Sequence, residues 1–131
     1  MASKPRLLLV DDDVRLRRAA NRGLSGFFEV TEAASAREAL KCIEASETFD
    51  VLLTDLEMPG GDAIDLLAEL ATRNLPLLHR SMVWSGFELE EPELVFYASH
   101  GIPILSKSLP TAEIARLLLA RTNVATHPVP R

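Results

Sequence analysis

The feature that most limits how this chain can fold is a regular alternation of two kinds of segment. Apolar runs of four to six residues alternate with stretches in which apolar side chains recur near the 3.6-residue period of an α-helix. The predicted strands are Arg6–Asp11, Phe28–Thr31, Val51–Thr54, Arg80–Ser85 and Ile102–Leu105. Strands that alternate with helices form a parallel sheet covered on both faces, with right-handed crossovers. We therefore expect an α/β fold, a (βα)5 three-layer sandwich with a five-stranded parallel sheet.

Local signals mark several helix ends. Ser35 followed by Glu38 makes a capping box for the second helix, and Asp62 can cap the third. Pro110 suits the first turn of the last helix. We predict the first helix over Val14–Leu24, the fourth over Glu90–Ser99, and a loop over Arg73–His79. The apolar positions of the first helix mostly fit a period near 3.6; they are Val14, Leu16, Ala19, Ala20 and Leu24. The predicted core contacts are Leu94 and Val95 on the fourth helix and Ile114, Leu117 and Leu118 on the last.

Size and composition indicate one globular domain. The chain has 131 residues, of which 47% are hydrophobic and 25% charged. We expect a domain over residues 1–122 and a flexible tail over residues 123–131, which contains two prolines and few apolar residues. No apolar stretch approaches the roughly 20 residues of a membrane-spanning helix. The start of the chain lacks the apolar core of a signal peptide, so a cytoplasmic location is expected.

The charge balance argues against direct binding of nucleic acid. The net charge is −5, whereas neutralising phosphates requires a basic face. A local basic cluster on the first helix consists of Arg15, Arg17, Arg18 and Arg22. We interpret it as a solvated helix surface, with a face for a protein partner as the alternative.

Carboxylates follow two of the predicted strands. Asp11 and Asp12 end the first strand, and Asp55 ends the third. Because the carboxyl ends of parallel strands meet at one edge of the sheet, we expect these groups within a few ångströms of one another. Two charges about 4 Å apart repel by roughly 4 kcal/mol at an effective dielectric constant near 20. The site must therefore protonate one group, bind a cation, or both. A divalent cation is the simplest answer, and oxygen ligands favour Mg²⁺ over Zn²⁺.

Two further polar residues follow the fourth and fifth strands. Ser85 ends the fourth strand, and Lys107 comes just after the fifth. A phosphoryl group needs a nucleophilic oxygen, a metal to neutralise charge and donors for its remaining oxygens. This set therefore predicts phosphoryl transfer with Asp55 as the acceptor.

Four motifs give the chain a family resemblance. They are Leu9-Val10-Asp11-Asp12, Asp55-Leu56-Glu57-Met58-Pro59-Gly60, Ser85 after Val83-Trp84, and Lys107. Through them the chain resembles the receiver domain of two-component response regulators, over residues 6 to about 121. The resemblance implies a flavodoxin-like fold with strand order 2-1-3-4-5.

The resemblance also implies the roles of the acidic residues. Asp55 would be phosphorylated by a histidine kinase or by a small donor such as acetyl phosphate. Asp12 and Asp55 would bind Mg²⁺ directly, together with the backbone carbonyl of Glu57, and Asp11 would act mainly through water. The domain would catalyse only its own phosphorylation and dephosphorylation.

The resemblance assigns two further residues to the phosphoryl group and identifies two departures from the family pattern. Lys107 would pair with the acceptor and then with the phosphoryl oxygens, and Ser85 would move to hydrogen-bond the phosphoryl group.

The family usually follows its lysine with a proline joined by a cis peptide bond, but this chain has Ser108. A cis bond before another residue costs about 3 to 4 kcal/mol, so we predict a trans bond. Ile104 stands where the family often has an aromatic switch residue.

The implied partners are a sensor histidine kinase or phosphotransfer protein and a downstream protein target or fused output domain. We also expect a homodimer through the fourth helix, fifth strand and fifth helix. Neither a membrane nor nucleic acid is expected as a direct partner. One alternative is a degenerate receiver, a protein-interaction module that works without phosphorylation. Another is a small Mg²⁺-dependent phosphatase in which Glu57 serves as the acid/base.

Overall fold

The computed structural model describes residues 4–45, 48–56, 58, 63–86 and 91–122, without the side chains of residues 91–93. The strands are β1 (Arg6–Val10), β2 (Glu29–Ala33), β3 (Val51–Asp55), β4 (Ser81–Ser85) and β5 (Ile104–Ser106). The helices are α1 (Val14–Leu24), α2 (Ala36–Glu44), α3 (Ala63–Thr72), α4 (Glu91–Ser99) and α5 (Thr111–Thr122). The predicted alternation of strands and helices is confirmed. The predicted tail, Glu57 and Asp62 lie outside the described residues.

The five strands form one parallel sheet in the order β2-β1-β3-β4-β5. This confirms the predicted fold class and strand order. Leu9 of β1 pairs with Glu32 on one side and Leu53 on the other. The carboxyl ends of β1 and β3 therefore lie side by side at the centre of the sheet.

The sheet separates two apolar layers, because successive side chains of a strand point to opposite faces. One layer is built on Leu8, Val10, Leu52 and Val83, and includes residues of α2, α3 and α4. The other is built on Leu7, Leu9, Val51, Leu53, Met82, Trp84 and Leu105, and includes residues of α1 and α5. Burial of both faces explains why β1, β3 and β4 are continuous apolar runs rather than alternating ones.

Side chains cap the first two helices, and the cap of α2 is the one that the sequence predicts. Asp13 accepts hydrogen bonds from the backbone N–H groups of Arg15 (3.0 Å) and Leu16 (3.1 Å) at the start of α1. Ser35 accepts from the N–H of Glu38 (3.1 Å) at the start of α2. Each cap satisfies backbone donors that have no partner within the helix.

Part of the predicted core was wrong. Tertiary packing sets the rotation of a helix about its axis, and the sequence pattern alone does not fix that rotation. In α4, Leu94 is 44% exposed and Val95 is 60% exposed, whereas Tyr97 is fully buried. Val95 is two residues from Tyr97 and so faces the opposite side of the helix. In α1, which has the predicted bounds, Val14, Leu16 and Ala19 are exposed while Leu24 is buried, so the periodic apolar positions do not all face the core. In α5, Ile114 and Leu118 are buried as predicted, and Leu117 is partly buried.

The predicted loop over Arg73–His79 is confirmed for residues 73–75 but was wrong from Pro76 onward, since residues Pro76–Arg80 form a short 3-10 helix before β4. Proline fixes a backbone angle that suits the start of a helical turn. The turn is closed by a hydrogen bond from the N–H of Leu78 to the carbonyl of Leu75 (3.1 Å). Two of its leucines are buried and anchor the turn to the core.

No helix in the described ranges is long and apolar enough to cross a membrane.

Candidate functional site at the carboxyl edge of the sheet

The turn after β1 holds Asp11 and Asp12 in different environments. Asp11 is fully buried, and its Oδ1 accepts a hydrogen bond from the N–H of Asp13 (2.9 Å). Its own N–H donates to the carbonyl of Ala33 (3.1 Å), which extends the pairing of β1 with β2 by one residue. Asp12 is exposed. The turn thus fixes one carboxylate beneath the surface and leaves the next one open to a ligand.

Asp55 is the last residue of β3, and its side chain is 13% exposed. Its Oδ1 accepts a hydrogen bond from the N–H of Leu56 (2.9 Å). Carboxylate oxygens of Asp11, Asp12 and Asp55 lie within 4.8 Å of one another. The structure therefore brings together the three carboxylates that the sequence predicted to meet.

Lys107 follows β5 directly and reaches back across the sheet edge to two of these carboxylates. Its Nζ lies 2.9 Å from Oδ1 of Asp55 and 3.1 Å from Oδ2 of Asp11. Burial alone would lower the pKa of this ammonium, but its hydrogen bonds to Asp55 and Asp11 raise the pKa above its ordinary value. Lys107 is therefore charged at neutral pH and holds the two carboxylates together.

The pKa of Asp55 is raised from its ordinary value. Burial is the largest cause, and the negative charge of Asp11 adds to it, while the hydrogen bond from Lys107 acts in the opposite direction. The ionised form of Asp55 is thus disfavoured in the ligand-free protein. A cation placed beside the carboxylates would favour that form.

The donor set fits a divalent cation. When ionised, the three carboxylates carry a charge of −3 and Lys107 contributes +1, which leaves a net charge of −2. The donors are all oxygens, which suits Mg²⁺ rather than a metal that prefers nitrogen or sulfur. The predicted backbone ligand, Glu57, lies outside the described residues.

A match to a family model identifies the family of this chain. Residues 7–117 match the family model of the response regulator receiver domain. The chain belongs to this family. Receiver domains bind Mg²⁺ at an acidic pocket, act with histidine kinases and output domains, and are not classical enzymes. This receiver domain is homologous to the phosphoaspartate receivers of two-component systems.

Two curated relatives are regulatory proteins. The regulatory protein VirG of Agrobacterium fabrum is 31% identical over 122 residues, which cover 91% of this chain and 45% of VirG. The DNA-binding transcriptional regulator NtrC of Escherichia coli K12 is 39% identical over 71 residues, which cover 53% of this chain and 15% of NtrC. The receiver domain thus spans less than half the length of either relative.

Two solved structures show the same fold. The CheY-like receiver domain from Methanospirillum hungatei JF-1 has a TM-score of 0.82 at 24% identity, covering 92% of this chain and 95% of that one. The NarL signal receiver domain from Mycobacterium tuberculosis has a TM-score of 0.79 at 29% identity, covering 95% of this chain and 100% of that one. The fold of this receiver domain is therefore shared with experimentally determined members of the family.

Ser85 lies at the same edge of the receiver domain as Asp55. Asp55 pairs with Trp84 across β3 and β4, so Ser85 is one residue beyond the level of Asp55. The Ser85 side chain is buried, and its backbone carbonyl accepts a hydrogen bond from the N–H of Lys107 (2.9 Å). This bond ties the strand that carries Ser85 to the loop that carries Lys107.

The peptide bond between Lys107 and Ser108 is trans, as predicted. The N–H of Ser108 donates a hydrogen bond to Oγ of Ser106 (3.1 Å), and the two hydroxyl oxygens are 2.7 Å apart. A proline at position 108 has no N–H and could not make this bond. The loop that positions Lys107 is therefore stabilised by serine hydrogen bonds. Ile104, at the second departure, is partly buried and packs against the layer that contains residues of α4.

The role of Arg17 differs from the predicted one, which was part of a solvated helix surface. The Arg17 side chain is 12% exposed, and its Nε lies 2.7 Å from Oε1 of Glu32 on β2. Its Nη1 donates to the backbone carbonyl of Asp11 (2.7 Å), and Asn21 donates to the other carboxylate oxygen of Glu32 (2.6 Å). Arg17 thus ties the acidic turn to the edge strand of the sheet. Its position in the sequence could have indicated this role, because Arg17 lies one helical turn after the cap at Asp13 and therefore close to the acidic turn.

We predict that Glu32→Gln lowers the free energy of unfolding at pH 7 by about 1 to 2 kcal/mol, because it weakens charge-assisted hydrogen bonds in a partly buried site. Burial alone would raise the Glu32 pKa, but hydrogen bonds from Asn21 and Arg17 lower it below 4.5. The stability from this group is therefore present above about pH 4.5 and is lost as pH falls through the lowered pKa. Urea unfolding measured from pH 7 to pH 3 tests this.

The matched control is Glu29→Gln on the same strand. The Glu29 side chain is 69% exposed, and its oxygen lies 3.9 Å from Nε of Arg6. This substitution should change stability by less than about 0.5 kcal/mol, as is usual for exposed pairs. An equal loss in both variants would mean that the Arg17 bonds to Glu32 contribute no more than general surface charge.

Proposed function

We propose that this receiver domain accepts a phosphoryl group on Asp55 from a sensor histidine kinase or a phosphotransfer protein. The observation that carries the proposal is the position of the Asp55 carboxylate. It lies at the carboxyl edge of β3, 2.9 Å from the ammonium of Lys107 and within 4.8 Å of the carboxylates of Asp11 and Asp12. The carboxylate is 13% exposed and lies among groups that can stabilise charge.

In the proposed reaction, a carboxylate oxygen of Asp55 attacks the phosphorus atom of a phosphohistidine. The new O–P bond makes an acyl phosphate, and the P–N bond breaks with its electron pair left on the imidazole nitrogen. Lys107 is placed to donate hydrogen bonds to the phosphoryl oxygens, and the Ser85 hydroxyl is assigned to the same group. Reaction of the acyl phosphate with water would return the free aspartate, so the domain catalyses only its own phosphorylation and dephosphorylation.

Mg²⁺ would be held by Asp12, Asp55 and the backbone carbonyl of Glu57, with Asp11 acting through water. Bound there, it would supply positive charge beside the phosphoryl oxygens. Two observations support this assignment. Asp12 is exposed beside the buried Asp11, and the ionised carboxylates exceed the charge of Lys107 by two.

The surface that meets a downstream partner is proposed to be α4, β5 and α5. Leu94 and Val95 of α4 are 44% and 60% exposed, so apolar side chains are available there for contact. Candidate occupants are a protein target, a fused output domain or a second copy of the chain in a homodimer. We propose a cytoplasmic setting beside the kinase.

The proposed function is tested by incubating the purified protein with acetyl phosphate, with Mg²⁺ or with a chelator. We expect the mass of one phosphoryl group to be added in the presence of Mg²⁺ only. The adduct should be released by hydroxylamine, which cleaves acyl phosphates and leaves phosphoserine intact. Failure to react with either acetyl phosphate or beryllofluoride would favour the degenerate receiver, and repeated turnover of a phosphate ester would favour the phosphatase.

A further inference from the structure

An aromatic ring lies beside the ammonium of Lys107. The Lys107 Nζ lies 5.1 Å from the centroid of the Trp84 ring, within the range of a cation–π interaction. Trp84 is 5% exposed, so little water competes for the contact. The ammonium is therefore in contact with two carboxylates and an aromatic ring.

The sheet register makes this contact a fixed property of the fold. Trp84 pairs with Asp55 on β3 and with Leu105 on β5, two residues before Lys107. Paired residues on neighbouring strands have side chains on the same face, so Trp84 and Asp55 share a face of the sheet. The ring packs in the layer beneath α1 and α5, which immobilises it.

The indole N–H does not account for a buried tryptophan at this position. Trp84 Nε1 is buried and has no hydrogen-bond partner among the described residues, although buried indole N–H groups usually find one. The contacts of Trp84 are made by its ring, which packs in the apolar layer and lies beside the Lys107 ammonium. A phenylalanine in the same place would retain an aromatic ring.

We propose that Trp84 is a positioning residue for Lys107. The inference rests on the proposed function, because it concerns the donor that would meet the phosphoryl oxygens. A hydrogen bond would occupy an N–H group of the ammonium, whereas an aromatic ring attracts the charge and leaves all three N–H groups available. Trp84 thereby keeps the ammonium at the sheet edge while its N–H groups turn from the carboxylates to an incoming phosphoryl group.

The first test compares the initial rates of phosphorylation by acetyl phosphate with saturating Mg²⁺. We expect Trp84→Leu to slow the reaction by about fivefold to tenfold, and Trp84→Phe to stay within about twofold of the wild type, because phenylalanine retains a ring. Met82→Ala is the matched control. Met82 is buried in the same layer, two residues earlier on β4, so its loss creates a core cavity without removing the ring. It should remain within about twofold of the wild-type rate.

Wild-type rates in Trp84→Leu, or equal slowing in all three variants, would overturn the proposal. A structural role alone predicts that Met82→Ala is impaired together with Trp84→Leu, and that Trp84→Phe gives no rescue. Circular dichroism confirms that each variant compared is folded.

The second test needs no phosphorylation and separates this inference from the proposed function. Trp84 is the single tryptophan of the chain, so its fluorescence reports on this site alone. Lys107→Met should change the emission of the ligand-free protein, and Lys107→Arg should change it less, because it keeps a cation near the ring. Asp13→Asn, at the same sheet edge, is the control. If the emission spectrum of Lys107→Met differs from the wild-type spectrum no more than that of Asp13→Asn does, the contact between Trp84 and Lys107 is refuted. This holds even if Asp55 proves to be the phosphorylated residue.

Discussion

Asp55→Asn is expected to abolish phosphorylation by acetyl phosphate and, at the same time, to stabilise the ligand-free protein at neutral pH. The loss of phosphorylation follows because an amide is not the nucleophile that the proposed reaction requires. The gain in stability follows from electrostatics. Burial raises the pKa of Asp55, and the charge of Asp11 adds to that rise. Ionising Asp55 therefore costs free energy in the folded state that it does not cost in the unfolded chain.

The sign of the pH dependence is set by this raised pKa. The contribution of Asp55 to stability is fully present below its ordinary pKa of 3.8 and is lost as pH rises through the higher folded-state value. The stability advantage of Asp55→Asn should therefore be small at low pH and should grow as pH rises towards neutrality. Urea unfolding in a chelator, repeated across this range, measures the difference.

Asp50→Asn is the matched control, because Asp50 comes just before the first residue of β3, at the opposite end from Asp55. Oδ2 of Asp50 accepts a hydrogen bond from the N–H of Arg6 (2.8 Å), away from the carboxylate site. This variant should still be phosphorylated and should gain no stability. Phosphorylation of Asp55→Asn would contradict the assignment of the acceptor. Destabilisation of Asp55→Asn by more than about 1 kcal/mol would mean that the ion pair with Lys107 outweighs the cost of burial.

Mg²⁺ at about a hundred times its dissociation constant is expected to raise the midpoint of thermal unfolding by roughly 10 °C. Binding to the folded state alone at that excess contributes about 2.7 kcal/mol, and a domain of this size gains about 4 °C for each kcal/mol. Asp12→Asn should remove most of the shift, because Asp12 is the exposed carboxylate of the three that lie within 4.8 Å. Scanning calorimetry at constant ionic strength measures the effect.

Asp13→Asn provides the control for charge. Asp13 and Asp12 are adjacent in one turn, so each substitution removes the same charge from nearly the same place. Asp13 is the cap of α1 and its side-chain oxygen accepts hydrogen bonds from backbone N–H groups, a role that asparagine can also fill. Its Mg²⁺ shift should remain close to that of the wild type. Equal losses in both variants would indicate a general effect of surface charge rather than a ligand at Asp12.

The juxtaposition of Asp11, Asp12 and Asp55 could be predicted because it depends on the order of the strands. Once β1 and β3 are neighbours in a parallel sheet, residues that follow them must meet at one edge. The burial of Arg17 and the exposure of Val95 depend instead on how each helix rotates about its axis. Apolar periodicity does not fix that rotation when several faces of a helix carry apolar side chains. Tyr97 and Glu32 fix it only through contacts with distant parts of the chain.

The pairing of Lys107 with both Asp11 and Asp55 has a consequence for reversibility. In the ligand-free protein, the lysine already pairs with Oδ1 of the aspartate that is proposed to accept the phosphoryl group, at 2.9 Å. A cation or phosphoryl group that arrives must compete with this internal counterion, and when it leaves, the lysine can return to the same oxygen. Lys107 thus neutralises the site whenever the phosphoryl group is absent. This arrangement suits a signal that is repeatedly reset better than it suits a permanently occupied metal centre.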